Sequence, residues 1–279
     1  MPRTSQGKFV TEASKVFQEG DDFWHAGRYD EARTAYEKAA GLYHQNDDLE
    51  GEAFVLSRLG ELELSLDDYQ EAEKALLSAT ELVRDADYAQ NTYGDALIKL
   101  SKLETARGHL LKARQYLKTA REVLAAIGNH DLSGDAYDHE AYIALMENRD
   151  ADALAAYKKA AELFREDGIS LKEASTLRAI ARIQMKNKEY DEAHDVLERC
   201  RDLYRENGDL LGEASALSAI GCLRYIIRDI ANARKALMKS VYLYGKVSHH
   251  YAEAESLLYL ARVEAVSYTH LTLPTNSLV

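Results

Sequence analysis

A small residue returns every forty positions along this chain. Ala32, Ala72, Ala113, Ala153, Ala193 and Ala233 are separated by 40, 41, 40, 40 and 40 residues. Four positions after each stands a large apolar residue: Tyr36, Leu76, Leu117, Tyr157, Leu197 and Leu237. Three further on comes another small one: Ala39, Ala79, Ala120, Ala160, Cys200 and Ser240. Positions i, i+4 and i+7 share one face of an α-helix, so each unit carries a helix with a small-large-small seam. A second series runs ahead of it: Ala13, Ala53, Gly94, Gly134, Ala174, Ala214 and Ala254. Val16, Leu56, Leu97, Tyr137, Leu177, Leu217 and Leu257 follow three later, and Gly20, Gly60, Ser101, Ala141, Ala181, Gly221 and Ala261 four later again. Two helices per unit are expected, approaching closely at the small residues while the large ones fill the space between them.

Punctuation agrees with this reading. The two prolines, Pro2 and Pro274, lie at the ends. Proline lacks an N–H and clashes with the preceding turn, so a long proline-free body points to an all-α chain. Gly27, Gly108, Asn148 and Asn187 separate the first helix of a unit from the second. Asn46-Asp47-Asp48, Gly128-Asn129, Asp167-Gly168 and Asn207-Gly208-Asp209 separate successive units. These are helix-stop and N-cap residues. The extra residue of the 41-residue spacing falls between Ala72 and Gly94, in the loop around Asp85 to Asn91, where solvent tolerates an insertion.

Gly27-Arg28-Tyr29-Asp30-Glu31-Ala32 and Tyr190-Asp191-Glu192-Ala193 resemble the start of the second helix in the tetratricopeptide repeat family. The joint Asn207-Gly208-Asp209-Leu210-Leu211-Gly212-Glu213-Ala214 is similar to that of the family's long form, which lacks the usual joint proline. The resemblance covers roughly Thr11 to Ala265. It implies a right-handed α-solenoid of antiparallel helix pairs, with first helices lining a concave groove. Similar arrays occur in cell-polarity adaptors, kinesin light chains, Rap-type peptide-responsive regulators and bacterial transcriptional activators, so the fold alone does not choose a function. The expected organisation is a flexible N-terminus at 1–10 and repeats at about 11–46, 47–87, 88–128, 129–168, 169–208 and 209–248. A half repeat follows at 249–265, and a non-native tail at 266–279. In that tail Val266 to Thr275 resemble translated read-through of a sequencing adaptor, so the native chain is expected to continue differently past Ala265.

The charge balance, 35 basic against 47 acidic residues, gives a net of −12. An acidic surface disfavours direct nucleic-acid binding, which needs Lys and Arg to displace counterions. Two cysteines, Cys200 and Cys222, make no disulfide framework, and a reducing, cytoplasmic setting is expected. Met1 to Gln18 lack the apolar run of a signal peptide, and no stretch has the length of a membrane span.

No phosphate loop, His-Glu-x-x-His or calcium-loop spacing occurs in the sequence. No enzyme activity, cofactor or metal is therefore expected. Cys200 reads as a buried inert thiol, Cys222 as packing, and His249-His250 as a solvated turn. Trp24 has two readings, an anchor at the N-terminal end of the groove or ordinary packing against Tyr29. One constellation stands out. Arg178, Arg182 and Lys186 follow each other at i, i+4 and i+8 and span about 80° of one helix face. The resemblance places that face in the groove, and the same register turns Lys102 and Tyr142 inward. The stripe is similar to the Lys and Arg pair of carboxylate-clamp members, although Ile98 and Asp138 depart from that pattern. The competing reading pairs Arg178 and Arg182 with Asp135 and Asp138.

The expected function is a scaffold binding a protein or peptide in its concave groove, with an acidic or C-terminal carboxylate group as the feature the basic stripe takes. The alternative is an N-terminal sensor or regulatory module of a truncated bacterial signalling protein or transcriptional regulator. Leu257, Leu258 and Leu260 also suggest self-association through an uncapped C-terminal end.

Overall fold

The computed structural model describes the backbone of residues 3–272 and the side chains of residues 12–266. Among these residues all regular structure is helical. It forms α1 (Arg3–His25), α2 (Tyr29–Gln45), α3 (Leu49–Ser65), α4 (Tyr69–Val83), α5 (Gln90–Ala106), α6 (Leu110–Ile127), α7 (His130–Met146), α8 (Asp150–Glu166), α9 (Ser170–Lys186), α10 (Tyr190–Glu206), α11 (Leu210–Ile226), α12 (Ile230–Lys246) and α13 (His250–Thr272). The chain divides into two compact units, the first ending at Glu147 and the second beginning at Asn148. The division falls between α7 and α8, the two helices of the expected fourth repeat.

In the first unit α1 packs on α2, α3 on α4 and α5 on α6, and each pair packs on the next through α2–α3, α4–α5 and α6–α7. First helices also touch each other, α3 with α5 and α5 with α7. The second unit repeats the arrangement with the pairs α9–α10 and α11–α12, flanked by α8 on α9 and α13 on α12.

The repeat series explains the packing. Ala32, Ala72, Ala113, Ala153, Ala193 and Ala233 are fully buried, and the large residues four positions later are nearly so. At Gly60 and Gly221 the reason for a small residue is direct. A Cβ on Gly60 would stand 2.5 Å from Leu76 Cγ, and one on Gly221 2.6 Å from Leu237 Cγ, each in the partner helix of the same pair.

Turns are compact. Asp48, Asn129 and Asp209 cap α3, α7 and α11 by accepting from the amides of Gly51, Leu132 and Gly212 at 2.9, 2.9 and 2.8 Å. Left-handed residues close the joints: glycines at 27, 108, 128, 168 and 208, but also Asp47, Asp67, Asn148, Lys188, Arg228 and Ser248. In the α9–α10 turn the left-handed residue is thus Lys188, one after Asn187. The inserted residue of the 41-residue spacing sits by a short 3₁₀ turn at Asp87–Ala89.

Helix α1 begins at Arg3 and α13 runs to Thr272. Val266 to Thr272 contain neither Gly nor Pro, and β-branched residues lower helix propensity only slightly. Residues 273–279, with Pro274, lie outside the described part.

Candidate functional site

Within each unit the first helices supply most of the lining of a cavity. Most of these lining residues fall one, four, five and eight positions after the small residue of the series. At 100° per residue these steps cluster within about 100° of arc, so they form one stripe.

In the second unit α9 contributes Ser175, Arg178, Ala179 and Arg182, α11 contributes Ser215, Ser218, Ala219 and Cys222, and α13 contributes Glu255 and Tyr259. With Tyr244 of α12 they line a cavity of about 550 Å³. Arg178 and Arg182 are exposed to it. Arg178 Nη1 donates to Ser215 Oγ at 3.3 Å. Among the described residues neither guanidinium forms a salt bridge. Lys186, the third member of the basic stripe, turns elsewhere: its Nζ lies 2.5 Å from Asp150 Oδ2 of α8, and it does not line the cavity. Burial pushes the Cys222 thiol up to about 11, against the Tyr259 hydrogen bond and the Arg262 charge, so thiolate chemistry is disfavoured. Cys200 is fully buried, its thiol pushed up to about 12 by burial.

In the first unit a cavity of about 510 Å³ has Phe17, Phe54, Ile98 and Leu132 on its apolar side. Asp21, Arg58, Glu61, Asp95 and Lys99 in its lining are already paired. Arg58 Nη2 donates to Asp21 Oδ1 at 3.0 Å and Nη1 to Glu61 Oε2 at 2.9 Å. Lys99 Nζ lies 2.7 Å from Asp95 Oδ2 and 3.1 Å from Glu61 Oε2. Lys102 lines this cavity and a second concavity of about 460 Å³ that contains Tyr142, Thr105 and His139. The Tyr142 ring stacks on His139 at 5.9 Å. His139 is buried, and its Nε2 lies 3.1 Å from Thr105 Oγ1. Burial, helped by the Lys102 charge, lowers its pKa to about 4. Trp24 is half-buried, edge-on to Tyr36 at 6.3 Å, with the Arg58 guanidinium 4.8 Å from its ring. Of the six residues singled out from the sequence, Arg178 and Arg182 share one cavity and Lys102 and Tyr142 another, while Lys186 and Trp24 stand apart from both.

Sequence reasoning missed Arg58, Lys99, Ser215, Glu255 and Tyr259. Each stands one or five positions after the small residue, whereas Arg178, Arg182, Lys102 and Tyr142 stand four or eight after it. Among the described residues no group of His, Cys, Asp and Glu side chains could hold a metal ion, and no helix is long and apolar enough to cross a membrane.

Paired helices on a forty-residue period, with first helices side by side, define a tetratricopeptide-type helical scaffold. A tetratricopeptide repeat model matches residues 13–85, and the soluble NSF attachment protein model matches residues 74–239, more than half of the chain. The chain belongs to the tetratricopeptide-repeat family, its residues 74–239 falling in the soluble NSF attachment protein family of such helical repeats. No curated protein matches the sequence. Among solved structures, BtubC from P. vanneervenii is similar with a TM-score of 0.66 at 16% identity, over 88% of this chain and 93% of that one. A signal transduction ATPase with numerous domains from Pyrococcus horikoshii, a protein with a tetratricopeptide repeat sensor, has a TM-score of 0.76 at 16% identity. The match covers 95% of this chain but only 41% of that protein. The apo form of RapI is similar with a TM-score of 0.73 at 15% identity, over 92% of this chain and 72% of that one. At such identities the likeness is one of fold.

Proposed function

We propose that the chain is a binding scaffold that captures a peptide or protein segment on the concave face of its helix pairs, with an acidic group held by Arg178 and Arg182. One observation carries this reading: two guanidiniums on one helix face line a cavity of about 550 Å³ without a carboxylate partner. Cations kept together mutually repel, and an arriving anion relieves that cost. The fold supports the reading by analogy, since similar structures include a Rap protein complexed with competence and sporulation factor and a Rap conjugation regulator complexed with the Phr* peptide. A reducing, cytoplasmic setting fits two unpaired thiols. Selection of displayed random peptides on the protein tests the proposal. Enrichment of Asp, Glu or a free C-terminal carboxylate is expected, and a selected pool without acidic enrichment contradicts it.

A second reading, a sensor or regulatory module, is favoured by the likeness to the archaeal ATPase with its repeat sensor, of which this chain spans 41%. It uses the same site and differs in what peptide capture controls. Fusing the chain to a signalling ATPase and measuring its activity with and without a selected peptide tests it: a change supports a sensor, and none supports a plain scaffold.

A further inference from the structure

The second-unit cavity holds a third uncompensated charge. Glu255, in the first two turns of α13, is exposed to it and forms no ion pair among the described residues. Neighbouring helices neutralise their charges locally: Arg201 with Asp202 at 2.7 Å, Arg224 with Asp229 at 3.2 Å, and Lys239 with Glu213 at 2.6 Å. Here two arginines and a glutamate share one cavity and do not meet.

Tyr244 lines the same cavity and feels both charges. Burial raises its phenol above the ordinary value, the Ser215 hydrogen bond and the Arg178 charge oppose that rise, and Glu255 adds to it. Cys222 also lines the cavity and feels the Glu255 charge. Burial raises its thiol, Tyr259 and Arg262 lower it, and the Glu255 charge raises it further. The same cavity is lined by hydroxyls, from Ser215, Ser218 and Tyr259, and by the small apolar Ala179 and Ala219. Opposite charges held apart in one concavity, with hydrogen-bonding groups in the same lining, match a ligand of the same polarity in reverse.

Resting on the reading that Arg178 and Arg182 hold an acidic group, we propose that the cavity recognises a dipolar peptide segment, whose carboxylate lies against Arg178 and Arg182 and whose ammonium or guanidinium group lies against Glu255. An acidic residue alone fills half of the site. A basic residue a short distance along the same ligand chain fills the rest and fixes its direction. A purely anionic ligand, such as a run of acidic residues, meets repulsion at Glu255 and is discriminated against.

The test uses the full chain and acetylated, amidated peptides with one Asp and one Lys separated by zero to three alanines, in both orders. Each is compared with the same peptide carrying Gln for Lys, by isothermal titration. At least one dipolar spacing is expected to bind about tenfold more tightly than its acid-only counterpart. Glu255→Gln removes that advantage by weakening dipolar binding and lifting the repulsion from the acid-only peptide, its unchanged melting temperature showing that the fold is intact. A series in which no dipolar peptide exceeds its acid-only counterpart overturns the proposal, as does an advantage that survives Glu255→Gln. Failure of the underlying reading looks different: acid-dependent binding is then unaltered by Arg178→Ala with Arg182→Ala, or absent altogether, and both proposals fall.

Discussion

Arg33 on α2 and Glu63 on α3 form a two-point ion pair across the first inter-repeat joint. Arg33 Nε donates to Oε1 at 2.5 Å and Nη2 to Oε2 at 2.7 Å, and the Glu63 side chain is 2% exposed. The pair ties the second helix of one repeat to the first helix of the next. Removing the cation leaves a buried carboxylate without its counter-charge, whereas an apolar replacement of both partners leaves nothing unpaired. Arg33→Ala should therefore destabilise the first unit by about 2–3 kcal/mol, and Arg33→Met with Glu63→Met by clearly less. Urea unfolding of the two variants checks the order.

His139 should make the first unit acid-sensitive. Burial, then the Lys102 charge, lower its pKa to about 4, while an ordinary imidazole titrates near about 6.5. Above that ordinary value both folded and unfolded chains carry it neutral, and it contributes no slope. As the pH falls from about 6.5 towards 4 the unfolded chain takes up a proton that the folded chain refuses, so stability declines, and the decline levels off below the folded pKa. The full loss is about 3 kcal/mol. His139→Gln should flatten this part of the stability–pH curve, and the difference between the two curves isolates the effect from other titrating groups.

Ala193 and Ala233 are fully buried at helix contacts within the second unit. Replacing either with Leu overpacks the contact and should cost about 1–3 kcal/mol. Changes at exposed Glu192 or Lys235 on the same helices should stay within about 0.5 kcal/mol. Equal tolerance at both kinds of position, in thermal melts, would mean that the helix faces are assigned wrongly.

Arg228 adopts φ 67° in the α11–α12 turn, a left-handed conformation in which a Cβ crowds the following carbonyl. Gly108 holds the same place in the α5–α6 turn at φ 80°. Arg228→Gly should stabilise by about 0.5–1 kcal/mol, the relief of strain being partly offset by a more flexible unfolded chain. A raised melting temperature supports this, and a lowered one means that the turn carries no such strain.

The fold was legible because its signal is additive. Every repeat restates the same seam, so a single unfavourable residue such as Ser240 does not hide it, and Ser240 in the structure is buried with its hydroxyl donating to Ala214 O at 2.8 Å. Turns were partly legible. Gly108 and Asn148 announce a left-handed residue, whereas Lys188, Arg228 and Ser248 do not, because packing on both sides overrides a local preference of about 1 kcal/mol. The site was half legible. A helix face is defined by angle, and positions one and five share it with four and eight, so Ser215 and Glu255 belong to the stripe that Arg178 and Arg182 announced. Which charges end up paired was not legible, because it depends on neighbours from other helices. Lys186 meets Asp150 at 2.5 Å, and Lys99 meets Asp95 at 2.7 Å, while Arg178 and Arg182 meet no carboxylate among the described residues.

The most direct test of the account is isothermal titration of the wild-type chain and its Arg178→Ala, Arg182→Ala double variant with one acidic peptide from the selection, at low and high salt. The wild type should bind with an affinity that falls as salt rises, and the double variant should lose about 2–5 kcal/mol and most of that salt dependence, with its melting temperature nearly unchanged. Unaltered binding by a variant that melts well below the wild type would contradict the account and assign both arginines to holding the fold.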